Sequence, residues 1–102
     1  MEKKEFVRLM KGVIQLDKDQ ESINKAFQKL DSDFNYFSLG KCTTLILDAI
    51  KIAMNDEYDF INYWVYEKNF GKDKELKVFD KDNKVIPSDT LEQLYDLIKK
   101  YE

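Results

Sequence analysis

Asn55-Asp56-Glu57-Tyr58-Asp59-Phe60-Ile61-Asn62-Tyr63-Trp64-Val65-Tyr66-Glu67-Lys68-Asn69-Phe70-Gly71 is the stretch around which the chain is organised. It holds six of the fourteen aromatic residues, including the single Trp, so it is either the centre of a core or a recognition surface. Asn55 or Asp56 fits an N-cap, Glu57 and Asp59 fit the first turn of a helix, where backbone N–H groups favour negative charge, and Gly71 fits a C-terminal stop. These signals predict a helix over 57–69. Ile61, Trp64 and Val65 share one face and read as core. Phe60, Tyr63 and Tyr66 widen the apolar arc beyond what packing needs, and Tyr58, Tyr63 and Tyr66 become candidate protein-binding residues, with Asp56 and Asp59 beside them. Tyr and Trp suit interfaces because they bury a large area with little rotamer entropy and keep a polar tip.

On the N-terminal side, positions 6, 9, 13, 16, 20, 23, 27 and 30 read Phe, Leu, Val, Leu, Gln, Ile, Phe and Leu. Alternating steps of three and four predict one long helix over 3–30, with a bend expected near Asp17. Gln20 is the only polar member of the stripe, and Gly12 weakens the helix by about 1 kcal/mol relative to Ala. The stripe covers the domain's own core or, alternatively, forms a coiled-coil-like seam for a homodimer or for a partner helix. Residues 31–41 combine turn formers with Phe34, Tyr36 and Phe37 and read as a connection that packs down. A further helix is predicted over 41–54, its inner face formed by Cys42, Leu45, Ile46, Ala49, Ile50 and Ala53, with Leu47 and Met54 widening it.

Beyond Gly71, Leu76 to Phe79 and Val85-Ile86 flank Asp80-Lys81-Asp82-Asn83-Lys84 and read as a hairpin over 76–86, with positive φ near Asn83. Pro87 ends it. Thr90 and Gln93 make a capping box, and Leu91, Leu94, Tyr95, Ile98 and Tyr101 run at helical spacing over 90–101. The expected fold is therefore α+β and mostly α: one domain over 1–102, with about four helices and a small two-stranded antiparallel hairpin before the C-terminal helix.

Bulk properties narrow the function. With 102 residues, a single domain buries roughly 60 to 70% of its unfolded surface and needs no staple. Seventeen basic and twenty acidic residues, spread along the chain, argue against nucleic-acid or anionic-membrane binding, which clusters Lys and Arg. The single Cys42 forms no internal disulfide and fits a reducing compartment. No signal-peptide core or membrane span is visible, so a cytoplasmic location is expected.

The chain has no His, and Cys42 therefore lacks the partner a Cys-His nucleophile needs and reads as a buried apolar residue. Starting at Asp80, a calcium loop would put Lys84 among the ligands and Val85 at the glycine position; starting at Asp31, it would put Tyr36 there. Both segments read as turns. No Gly-rich phosphate loop is present, and no metal or cofactor is expected. Asp56, Glu57 and Asp59 leave one enzymatic alternative, a carboxylate-dependent enzyme or metal-binding factor, but the cap explains them without chemistry. The expectation is a non-enzymatic, protein-binding chain.

Taken together, Met54-Asn55-Asp56, Ile61-Asn62-Tyr63-Trp64-Val65-Tyr66-Glu67, Phe70-Gly71-Lys72, Asp80-Lys81-Asp82-Asn83-Lys84-Val85-Ile86-Pro87 and Leu94-Tyr95-Asp96-Leu97 resemble a group of small proteins encoded by phages and prophages of low-GC Gram-positive bacteria. The resemblance covers about residues 40 to 100, and Asn83 stands where such proteins often have Gly. The group has no assigned activity, so no catalytic residue is carried over. The resemblance implies a phage gene product that acts in the bacterial host cell by binding a host or phage protein, antagonism of host defence being one form of that action.

Overall fold

The computed structural model describes residues 1–30, 37–69 and 78–102. Four helices follow one another: α1 (Lys3–Leu30), α2 (Phe37–Met54), α3 (Phe60–Asn69) and α4 (Leu91–Lys100). α1 packs against both α2 and α4, and α3 packs against α4. The core lies where the N-terminal part of α1 meets the other three. Phe6, Met10 and Val13 from α1, Ile50 and Met54 from α2, Phe60, Ile61 and Trp64 from α3, and Leu91, Leu94, Leu97 and Ile98 from α4 are buried there, with Val78.

α1 is helical without interruption through Gly12 and Asp17. Its stripe is buried at Phe6 and Val13, half-buried at Leu9 and Leu16, and exposed from Ile23 through Leu30. A helix of this length spans about 42 Å, whereas the ten-residue helices α3 and α4 span only about 15 Å. The later turns of α1 therefore extend past the shorter helices. Gln20, the polar member of the stripe, is buried and accepts a 2.9 Å hydrogen bond from the Thr43 hydroxyl on α2. At its other end, α1 is tied to α4 by the Tyr95 hydroxyl donating to the Met1 carbonyl at 2.8 Å and by Lys3 paired with Asp96 at 2.7 Å.

α2 differs from expectation in length and in orientation. It starts at Phe37, inside the segment read as a connection; the rest of that segment, 31–36, lies outside the described residues, as does the role assigned to the Cys42 side chain. Its inner face is formed by Thr43, Leu47, Ile50 and Met54, whereas Leu45, Ile46, Ala49 and Ala53, expected inside, are exposed. The helix is thus turned by about 100°, one residue's worth of helical rotation, from the predicted orientation. The cause is polar as well as apolar: turning Thr43 inward gives buried Gln20 a donor, which no apolar residue at that place could supply.

Among the described residues no strand is present, and the two-stranded hairpin expected over 76–86 does not form, so the fold is helical and not α+β. Leu76 and Lys77 lie outside the described residues. What remains is one isolated antiparallel bridge, Phe79 to Val85, closed by Ile86 N–H donating to the Val78 carbonyl at 2.8 Å. The Asp80 carboxylate accepts from the N–H groups of Asp82 at 2.8 Å and Lys84 at 2.9 Å, and Asn83 adopts φ 61°. A side chain that bonds its own neighbouring backbone in this way favours a local turn over a ladder. Pro87 then offers no N–H to extend the pairing.

α4 ends the chain with a complete capping box. The Thr90 hydroxyl accepts from Gln93 N–H at 3.2 Å, and the Gln93 carboxamide accepts from Thr90 N–H at 3.1 Å. Leu91, Leu94, Leu97 and Ile98 face the core, and Lys99 and Lys100 occupy the last turn, where positive charge suits the free carbonyls.

Candidate functional site

The aromatic stretch divides at Asp59. The helix begins at Phe60, not at residue 57, because Asn55 and Asp59 both take left-handed backbone conformations, φ 52° and 57°, and fold 55–59 into a tight corner. Within that corner the Asp56 carboxylate reaches forward and accepts from Phe60 N–H at 3.1 Å and Ile61 N–H at 3.0 Å. Asp56 therefore caps α3 from a position further back than a normal N-cap. Asp59 pairs with Lys51 of α2, and Glu57 lies outside the helix. The three carboxylates proposed for chemistry do not converge as free groups, since Asp56 holds a helix end and Asp59 holds an ammonium.

The tyrosines also separate. Tyr58 stacks on Phe60 at 5.4 Å and meets the edge of Tyr101 at 5.6 Å, so it closes a small aromatic cluster at the foot of α4. The Tyr101 hydroxyl donates to Asp80 at 3.1 Å and ties the 80–84 turn to that cluster. The backbone N–H of Lys84 holds the Asp80 carboxyl below its ordinary range, with Asp82 N–H and Tyr101 adding to the effect against partial burial. Partial burial raises the Tyr101 phenol, and acceptance of its hydrogen bond by Asp80 raises it further. Tyr63 and Tyr66 are on the outer side of α3, 48% and 42% exposed, while Trp64 between them is buried with its indole N–H unpartnered among the described residues.

A larger exposed apolar feature lies on α2. Leu45, Ala49 and Ile52 follow one another at intervals of four and three residues, directly opposite the buried line of Thr43, Leu47, Ile50 and Met54. Leu45 is 68% exposed and Ile52 81%. The ridge runs into a concavity of about 450 Å³ lined by Asp48, Lys51, Ile52, Asn55, Asp56 and Glu57. Its rim joins the apolar ridge to the acidic corner that caps α3. Asp56, a site residue expected from sequence, belongs to this concavity; Tyr58, Tyr63, Tyr66 and Asp59 do not line it.

Ile52 and Asp48 were not singled out from sequence, and Leu45 was read as an inner-face residue and not as part of a contact surface. The signal was present: the apolar residues of α2 spread over more of its circumference than one buried stripe requires, so a small domain that covers one side leaves the other for something else. Among the described residues no group of three or more His, Cys, Asp or Glu side chains could hold a metal ion, and no helix is long and apolar enough to cross a membrane. Compared with protein-family models, curated proteins and solved structures, the chain matches none.

Proposed function

We propose that this chain is a non-enzymatic protein-binding module, and that its contact surface is the outward face of α2 with the adjoining acidic corner. The supporting observation is that α2 is apolar on two opposite sides and the chain's own core covers one. A contiguous apolar ridge left in water has an unmet hydration penalty, and such patches are characteristic of interaction sites. The phage and prophage resemblance gives this reading its setting: a product acting on a host or phage protein in the bacterial cytoplasm, antagonism of host defence being one outcome of such binding.

The test is an affinity capture from Gram-positive host lysates in parallel with the tagged chain and with a Leu45→Asp, Ile52→Asp double variant. Both must first give the same far-ultraviolet circular dichroism. A defined protein retained by the parent chain and lost with the variant is the expected result. Recovery of the same proteins by both, or of none across several hosts, overturns the reading.

A further inference from the structure

We infer that the occupant of the α2 ridge is a helix of another protein, carrying an apolar stripe at three-four spacing flanked by Lys or Arg. This inference rests on the protein-binding reading above and names the chemistry of the partner.

The ridge sets the shape of the occupant. Leu45, Ala49 and Ile52 repeat at the spacing with which one helix lays a seam against another. Ala49, small and exposed between two branched side chains, leaves a gap in which a partner's larger side chain can seat. A peptide added as a β-strand would need a free sheet edge for its backbone, and none exists among the described residues.

Charge sets its composition. Lys51, the cation lining the concavity, is already paired with Asp59, and Asp56 is engaged with the α3 backbone. Asp48 and Glu57 are exposed and have no cation partner among the described residues. An apolar seam bordered by unpaired carboxylates selects Lys or Arg on the flank of whatever docks, and it repels an acidic flank.

The same charges disfavour a second copy of this chain. An antiparallel pair that sets Leu45 of one copy against Ile52 of the other brings both Asp48 carboxylates beside the two-fold axis, next to Ala49. A parallel pair stacks the two acidic corners. In either arrangement like charges face each other across a seam that excludes water, which penalises self-association.

The experiment uses the chain over residues 1–102 and two fluorescein-labelled helical peptides with the same leucine stripe, one flanked by Lys and Arg and the other by Glu. Fluorescence anisotropy at low ionic strength should show the basic peptide binding about tenfold more tightly than the acidic one. The gap should narrow as salt is added. An Asp48→Lys, Glu57→Lys variant should reverse the preference, and Ile52→Asp should weaken both peptides. Equal binding of the two peptides, still sensitive to Ile52→Asp, overturns the basic partner and leaves the protein-binding module standing. No binding of either peptide overturns the helical occupant, while the lysate comparison judges the broader reading separately. A dimer in sedimentation equilibrium that Ile52→Asp dissolves would replace the partner helix with a second copy.

Discussion

α4 buries Leu91, Leu94, Leu97 and Ile98 along one side and turns Glu92, Gln93, Asp96 and Lys100 to water, whereas α2 is apolar on two opposite sides and covers only the one carrying Thr43, Leu47, Ile50 and Met54. In α4 every apolar residue of the inner face supports folding, and the polar face keeps the helix compatible with solvent. In α2 the outward Leu45 and Ile52 contribute little to the fold, since most of their surface stays in water. The contrast separates side chains retained for stability from side chains available for contact, a distinction that burial makes and hydrophobicity alone does not.

That contrast can be broken experimentally. The largest effect is expected in the shared core: Leu94→Ala should destabilise by about 2 to 5 kcal/mol and Trp64→Ala by about 3 to 5, measured by urea unfolding. A loss below about 1 kcal/mol at Leu94 would mean that α4 does not anchor the fold. Next comes the polar contact inside the α1–α2 pair. Thr43→Val keeps the shape but leaves buried Gln20 without its donor, and a loss of about 1 to 3 kcal/mol should follow in the same assay. Thr90→Ala removes the hydroxyl half of the capping box and should cost about 1 kcal/mol. Ile52→Asp should change stability by no more than about 0.5 kcal/mol, because Ile52 has little to lose on exposure. A large loss there would place the outward face of α2 in the fold after all.

The smallest expected effect is on pH dependence, at the Asp80–Tyr101 contact. The Asp80 carboxyl lies below its ordinary value of 3.8 in the folded chain, so its contribution is complete above that value and is lost as pH falls through the lower folded value. The Tyr101 phenol lies above its ordinary value of 10.0, so its contribution is complete below 10.0 and is lost as pH rises through the higher folded value. Between these limits this contact should leave stability independent of pH. In Tyr101→Phe, thermal melts should lose the alkaline fall due to this phenol and keep most of the acid fall, because the backbone N–H of Lys84, and not Tyr101, dominates the depression at Asp80.

Where local signals agreed, the sequence was readable. Thr90 and Gln93 mark the start of α4 and its apolar spacing allows one inner face, so cap and core follow together. The 3–30 stripe likewise led to a helix over the same residues. α2 was harder because periodicity cannot choose between faces that are both apolar, and the deciding contact joins residues 23 positions apart, Gln20 and Thr43. The start of α3 moved because an Asp can cap a helix across an intervening turn, a choice that depends on the left-handed conformations of Asn55 and Asp59. The hairpin failed because a bridge between two short apolar runs competes with the Asp80 side chain on one side and with Pro87 on the other. Of the expected site residues, Tyr63 and Tyr66 stand on an outer surface, whereas Tyr58, Asp56 and Asp59 are each engaged in structure.

The Gln20–Thr43 hydrogen bond also acts as an alignment key. Sliding α2 along α1 by one turn, about 5.4 Å, would draw the two groups apart and strand a polar atom of each in an apolar seam. Many neighbouring registers of two apolar helices are nearly equal in packing, and this single bond makes them unequal. By fixing where α2 stops, it also sets the depth at which Met54 enters the core and the distance from the Leu45–Ile52 ridge to the Asp56 corner. The spacing of the outward surface is thus decided by a contact on the inward one.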